Sequence, residues 1–381
     1  MARAVQHIVL NPMSPGTAQH LTVFRYGKIG ARPKAYVHAA MHADEPPGIL
    51  ILHHLCRLLD DADRKGEIKG EIIVAPTANP LGLDQVINTT RAGRHEFRSG
   101  INFNRGFPDL GTDLVARVKG RLTEDPAQNI AIVRAALKAS QAERKTITAL
   151  ARLQLELQKL AIDADIVIDL HCDDEAETYL MAPEVQWPAA RELAADVGVG
   201  WLLESGASLS NELCFDESCL HPWAVLRDAI GDKLPVPLAC LAVCFEMRGI
   251  NAVDDTVNRR DAAGLFRYLT RRGLVAGDTG AAAVDKVETA PAYEYVNAPK
   301  GGLVVYAVPL GSRVKAGDLV AELIDPTAED QERGRIPLHA SVPGAIISRC
   351  LARLVAPGDF VAMIVGQEWP KAPPNGRIAL A

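Results

Sequence analysis

Two short fragments, far apart in the chain, hold the residue types that metal-assisted hydrolysis needs: His42-Ala-Asp-Glu45 and Asp169-Leu-His171. Two imidazoles and one carboxylate are the three protein ligands of a catalytic zinc site. The fourth position of such a site stays open for water, whose pKa the metal brings toward neutrality. His42 and Glu45 stand three residues apart, a separation at which side chains converge within one helical turn. Taken singly, the first fragment also reads as a surface turn and the second as a hydrogen-bonded histidine closing a strand. Together they favour a metal, because a buried strand that delivers Asp169 and His171 is costly unless those groups are paired or bound.

Two further segments supply chemistry. Val243-Cys-Phe-Glu246-Met-Arg248-Gly249 ends an apolar run with a carboxylate. Glu246 there can take a proton from water and return it to a leaving nitrogen; a salt bridge to Arg248 is the plain alternative. The loop from Arg94 to Pro108 is rich in arginine and asparagine. Asn104 and Arg105 match a substrate carboxylate, with Arg248 a further candidate contact, and either Arg94 or Arg98 could donate to a carbonyl oxygen as it becomes an oxyanion. Cys172 has acidic neighbours that disfavour a thiolate, so it is not a nucleophile candidate. The chain has no Gly-x-Gly-x-x-Gly, Walker-type loop or Gly-x-Ser-x-Gly, which weighs against nucleotide binding and serine hydrolase chemistry.

These residues need a scaffold. Apolar runs at 35–40, 71–75, 165–170 and 238–245 read as strands covered on both faces, and helix-like stretches lie between them. Strands alternating with helices predict an α/β domain with a mainly parallel or mixed central sheet flanked by helices. Ligands in such sheets gather at the carboxyl ends of strands, where His42, Glu45, His171 and Glu246 all fall. Residues 113–162 read as a helical hairpin insertion broken near Thr123-Glu-Asp-Pro126. Its Leu150, Leu153, Leu157 and Leu160 recur at helical spacing, as a face packed on the core or on another subunit does.

The catalytic unit is expected to span 1–290, with a Gly- and Ala-rich linker at about 273–290. Residues 291–381 read as a small all-β, barrel-like domain. A faint repeat, Val314-Lys-Ala-Gly-Asp318 against Val355-Ala-Pro-Gly-Asp359, predicts two equivalent turns there. The segment resembles biotinyl/lipoyl modules but lacks their modified lysine, and no attached lipoate or biotin is expected.

With 381 residues, 48% hydrophobic, 23% charged and a net charge of −6, the chain has the composition of a soluble globular protein and no basic footprint for nucleic acid. Seven cysteines, an amino terminus unlike a signal peptide and no apolar run of membrane-spanning length point to a reduced, cytoplasmic protein without a membrane partner, with a homo-oligomer left open.

The order of motifs resembles the succinylglutamate desuccinylase/aspartoacylase family, relatives of the zinc carboxypeptidases. The residues that carry this are His42-Ala-Asp-Glu45, Asn102-Phe-Asn-Arg-Gly-Phe-Pro108, Asp169-Leu-His-Cys-Asp173 and Phe245-Glu-Met-Arg-Gly249, within about 35–270. The resemblance implies one Zn2+ on His42, Glu45 and His171, with Glu246 as general base and acid. Asn104 and Arg105 would hold a carboxylate of an N-acyl amino acid, and one arginine shortly before them would polarise the carbonyl. The family commonly reads Asp-Leu-Asn-Arg where this chain has Asn102-Phe-Asn-Arg105. An amide there would orient the first histidine but raise its basicity less, unless another group such as Asp169 serves instead. The expected activity is a zinc amide hydrolase acting on a small N-acyl amino acid; a peptide-cleaving carboxypeptidase and a non-catalytic binding protein are the rival readings.

Overall fold

The structure, a computed structural model, describes residues 3–205 and 212–370. A nine-stranded sheet runs through the larger part. Its strands lie in the order Ala4–Val9, His20–Tyr26, Glu71–Ala75, Lys34–Ala39, Ile166–Asp173, Leu241–Gly249, Tyr179–Ala182, Trp201–Glu204 and Glu288–Ala290. The four strands foreseen from the apolar runs are neighbours at its centre, and all three pairings among them are parallel. Antiparallel pairing appears on either side, between the first two strands, between His20–Tyr26 and Glu71–Ala75, and between Tyr179–Ala182 and Leu241–Gly249. The sheet is therefore mixed around a parallel core.

Burial on both faces explains the unalternating apolar runs. Ala35, Val37, Ile72, Val74, Ile166 and Ile168 point to one side, against the helices Pro47–Arg64, Trp187–Val197 and Asp255–Arg271. Tyr36, Ile73, Val167 and Ala242 point to the other, against Gly111–Val118, Pro126–Glu143, Ala149–Ala161 and Phe215–Ile230. The stretch 113–162 thus belongs to three helices rather than a simple hairpin. Its break falls as expected: Asp125 caps Pro126–Glu143 by accepting from the Ala127 and Gln128 N–H groups, and proline takes the first helical position. Leu150, Leu153, Leu157 and Leu160 are buried in the core.

The segment 273–290 is tied down. Leu274, Val275 and Val287 are buried with the layer of Pro47–Arg64, Trp187–Val197 and Asp255–Arg271, and Glu288–Ala290 closes the sheet. Beyond it, the remaining strands form two antiparallel sheets over one shared core that includes Val304, Val320, Leu323, Ile346, Val361 and Ile364. The sequence repeat corresponds to two matched turns. Gly317 and Gly358 sit at φ 91° and 89°, and the Asp318 and Asp359 carboxylates each accept a backbone N–H at 2.7 Å, from Lys315 and Ala356.

The C-terminal sheets are fastened beside the His171 strand. Glu175 and Ala176 pair antiparallel with Arg349 and Ser348, Glu175 receives Arg349 at 3.1 Å and Arg353 at 2.8 Å, and Asp174 accepts the Leu351 N–H. Among the described residues no helix is long and apolar enough to cross a membrane.

Candidate metal centre

Three adjacent parallel strands place the site by their register. Val37 is level with Ile168, so His38 faces Asp169, and Cys244 lies level with Asp169 and Glu246 with His171. Residues two apart on a strand share a face. One face therefore changes character row by row toward the carboxyl ends: Tyr36, Val167 and Ala242, then His38, Asp169 and Cys244, then His171 and Glu246. The first row belongs to the hydrophobic core and the last to the site. The Asp-x-His spacing of Asp169 and His171 is this periodicity.

His42 and Glu45 arrive from the turn after Lys34–Ala39. The chain reverses at Ala40, whose φ of 58° is unusual for a residue with a Cβ, and enters the helix Pro47–Arg64 through Pro46. The Glu45 N–H donates to the His42 carbonyl at 3.1 Å, which closes the turn and brings both side chains inward.

His42, Glu45 and His171 meet. Their ligand atoms all lie within 4.8 Å of one another and all three residues are buried. Glu45 Oε1 is 2.9 Å from His42 Nδ1, and Oε2 is 2.8 Å from His171 Nδ1. The far side of each ring decides the tautomer. Asn102 Oδ1 accepts the Asn104 backbone N–H at 2.8 Å, which fixes the amide orientation, so His42 Nε2, 2.8 Å from the same oxygen, must donate. His171 Nε2 lies 3.0 Å from Asp169 Oδ1 and also 3.0 Å from the Asn104 Nδ2 donor, so a carboxylate acceptor and an amide donor both face this nitrogen. In neutral His42 the Nδ1 lone pair then faces a Glu45 oxygen, and His171 presents its own Nδ1 lone pair to the other oxygen in the tautomer that donates to Asp169. Two acceptors at these distances need a cation between them, and one divalent metal meets both contacts at once. The donor set fits zinc, with an acceptor on the outer nitrogen of each histidine as such ligands usually have.

The electrostatics agree. Burial raises the Glu45 and Asp169 carboxyls, but the imidazoles of His42 and His171 for the first, and of His171 and His38 for the second, outweigh it and hold both well below the usual range. Burial lowers His42, whereas the two carboxylates around His171 overcome burial and raise it well above its ordinary value.

Glu246 is half-buried, its Oε2 is shielded from solvent without a hydrogen-bond partner, and its Oε1 accepts from the Cys244 thiol at 3.7 Å. Burial pushes its carboxyl up to about 8, with Glu45 and Asp173 adding to the rise and His171 and Arg94 opposing it. The alternative of a Glu246–Arg248 salt bridge is not what forms. Arg248 turns at φ 30° to grip the buried Asp261 with both nitrogens, at 2.6 and 3.2 Å, which ties it to the helix Asp255–Arg271.

The arginine-rich loop is held by its backbone: Phe103 N–H donates to the Arg94 carbonyl, and Gln154 of the helix Ala149–Ala161 reaches the Arg105 carbonyl at 2.7 Å. Arg94 Nη1 lies 2.8 Å from Glu45 Oε1. Burial opposes its charge, but Glu45, Asp44, Glu246 and Asp173 keep it above its ordinary value. Arg98 instead lines a surface hollow with Phe97, Gln85 and Met13, remote from these groups. Of the two arginines, Arg94 is the one that lies beside Glu45.

Asn104 is buried and engaged on both sides: its Oδ1 accepts the Phe215 N–H at 2.9 Å, at the start of the helix Phe215–Ile230, and its Nδ2 reaches Asp169 and His171. Arg105 is half-buried with Nη1 on the Asn104 carbonyl. Asp169 does not serve His42; Asn102 does. Cys172 is buried, and burial followed by Glu45 and Glu246 pushes its thiol far up. One residue had no signal in the sequence: Tyr295, from the C-terminal sheets, lies in electrostatic range of Glu246, Asp173 and Arg105. A tyrosine in an alternating strand reads as sheet surface.

Comparison with known proteins bears on this arrangement. Residues 31–212 match the model of the succinylglutamate desuccinylase/aspartoacylase catalytic domain. No curated protein matches the chain by sequence. A crystal structure of a succinylglutamate desuccinylase/aspartoacylase family protein from Shewanella amazonensis is similar at 25% identity and TM-score 0.82, over 95% of this chain and 98% of that one. A succinylglutamate desuccinylase/aspartoacylase from Rhodobacter sphaeroides has 18% identity and TM-score 0.68, over 96% of each chain. The product-bound ectoine utilization protein EutE (DoeB) of Ruegeria pomeroyi has the same identity and TM-score, over 95% of this chain and 94% of that one. These last two likenesses establish shared fold.

Proposed function

We propose that this chain, whose residues 31–212 belong to the succinylglutamate desuccinylase/aspartoacylase family, is a zinc-dependent amide hydrolase that removes the acyl group from an N-acyl amino acid or a similar small amide. The observation that carries the reading is the buried convergence of His42, Glu45 and His171, with Arg94 and a Glu246 whose Oε2 has no hydrogen-bond partner beside it.

Zinc held by those three residues would polarise the amide carbonyl and acidify water. Glu246 accepts the proton of the attacking water. Its raised pKa suits it to hold that proton and pass it to the departing nitrogen. Arg94 donates to the carbonyl oxygen as negative charge gathers on it. Arg105 holds a carboxylate of the substrate, and its planar fork favours that group over a neutral end. We read the C-terminal sheets as a flattened barrel whose Tyr295 edge narrows the cleft and favours small substrates.

The test is to measure zinc content and then hydrolysis of acetyl-, succinyl- and longer-chain acyl amino acids against a set of peptides. Cleavage of acyl amino acids at a zinc content near one per chain is the expected outcome. Cleavage of peptides alone would overturn it in favour of a carboxypeptidase, and full zinc occupancy with no turnover would overturn it in favour of a binding protein.

A further inference from the structure

The row of residues beneath His171 holds a group that the chemistry above does not use. His38 is fully buried in the middle of a strand, in an otherwise apolar run. Its Nε2 lies 2.6 Å from Asp169 Oδ1, the same oxygen that His171 Nε2 meets at 3.0 Å. Its Nδ1 lies 3.1 Å from the Tyr36 hydroxyl, and its ring packs on Phe215 with centroids 4.3 Å apart. Asp169 Oδ1 can only accept, so His38 Nε2 carries the hydrogen, Nδ1 accepts, and Tyr36 donates. A continuous buried chain results: Tyr36 to His38 to Asp169, with His171 Nε2 3.0 Å from the same carboxylate oxygen and the Asn104 Nδ2 reaching both His171 Nε2 at 3.0 Å and Asp169 Oδ2 at 3.5 Å.

We infer that His38 is a positioning residue for the metal centre: it holds Asp169 so that the carboxylate fixes the tautomer and orientation of His171. This rests on the reading of His42, Glu45 and His171 as metal ligands and extends the support of His171 two residues deeper. The physical reason is the geometry of a shared oxygen. A carboxylate buried at the level of a strand can rotate about its own side-chain bonds, and His171 alone would pull it in one direction. The opposed hydrogen bond from His38, with the His38 ring clamped by Phe215, takes that freedom away. Packing alone does not call for a histidine there, since valine or isoleucine would suit an apolar strand without an internal hydrogen-bond donor. Outer partners of metal-bound histidines affect metal affinity by ~10–100-fold when lost, and His38 acts on such a partner.

The experiment measures zinc affinity by competition with a chromogenic chelator, the visible spectrum of the cobalt-substituted protein, and unfolding of the metal-free protein. It compares the wild type with His38→Leu, His38→Gln and Tyr36→Phe. His38→Leu is expected to weaken zinc binding by ~10-fold or more and to alter the cobalt bands. His38→Gln, which keeps an N–H toward Asp169, should recover most of the affinity, and Tyr36→Phe should cost a few-fold. Wild-type affinity and an unchanged cobalt spectrum in His38→Leu would overturn the inference, as would lower stability without any change at the metal. If His38→Leu does not fold, Tyr36→Phe decides: weaker zinc binding sustains the inference and unchanged binding and spectrum overturn it. A wild-type protein that binds no zinc would sink the underlying site reading itself.

Discussion

Glu246→Gln separates the two things that a shielded carboxyl with one unpartnered oxygen does: it costs stability when ionised, and it moves protons. The folded chain holds the Glu246 proton up to about 8, against an ordinary value of 4.5. The unfolded chain ionises from 4.5 upward while the folded chain does not, so the stability tied to the protonated form is complete below 4.5 and is lost as pH rises toward 8. The whole interval corresponds to ~5 kcal/mol; relaxation and water entry around a buried charge reduce it, leaving ~2 kcal/mol or more to be seen. Glutamine cannot ionise and escapes this loss. Urea unfolding of the metal-free wild type and variant at about pH 5 and about pH 8.5 gives the difference directly, and any fixed cost of fitting the amide cancels between the two conditions. The variant should gain on the wild type by that amount at the higher pH. An equal difference at both pH values would show that Glu246 ionises as freely as in solution, and the case for it as a proton carrier near neutrality would fall. With zinc retained, the same variant should lose ~10²- to 10⁴-fold in kcat.

Arg94→Ala should lower kcat/KM by ~10²-fold through loss of a donor to the developing oxyanion, whereas Arg98→Ala should stay near wild type; steady-state kinetics on an acyl amino acid distinguish them. Asn102→Asp keeps an oxygen for both His42 and the Asn104 N–H and adds a charge that makes His42 a stronger ligand, so zinc affinity measured by chelator competition should rise, by up to ~10-fold. Arg248→Ala strands the buried carboxylate of Asp261 and should cost ~3 kcal/mol in unfolding experiments, with KM nearly unchanged.

Much of this molecule could be read from its residues, for reasons visible in the strands. The central four strands are buried on both sides, so their apolar runs stand out, and three of them lead into a residue that could bind or react. The His42 and Glu45 turn and the Asp169 and His171 pair are local patterns that survive in one dimension. What escaped depends on side-chain direction. Arg94 and Arg98 are equal in sequence, and only the backbone hydrogen bond from Phe103 to Arg94 turns the first inward. Arg248 and Asn104 look free in the sequence because their partners, Asp261 and Phe215, lie 13 and 111 residues away. The outer strands Ala4–Val9 and His20–Tyr26 were hidden for another reason. The first is exposed at most of its positions, so no apolar run marks it.

The short ladder between Glu175–Ala176 and Ser348–Arg349 has a bearing on how the protein can be cut or recombined. Three residues separate His171 from Glu175, the first residue of that ladder, and its mate Arg349 is 174 positions further on. A shortened chain ending near residue 290 would leave Glu175 without its two arginines and the Asp173–Ala176 stretch without its neighbour, so the loop leaving the metal ligand would be loosened at its root. The two parts of this polypeptide are thus poor candidates for shuffling as independent cassettes, and grafting a foreign C-terminal unit would have to recreate that ladder along with its own core.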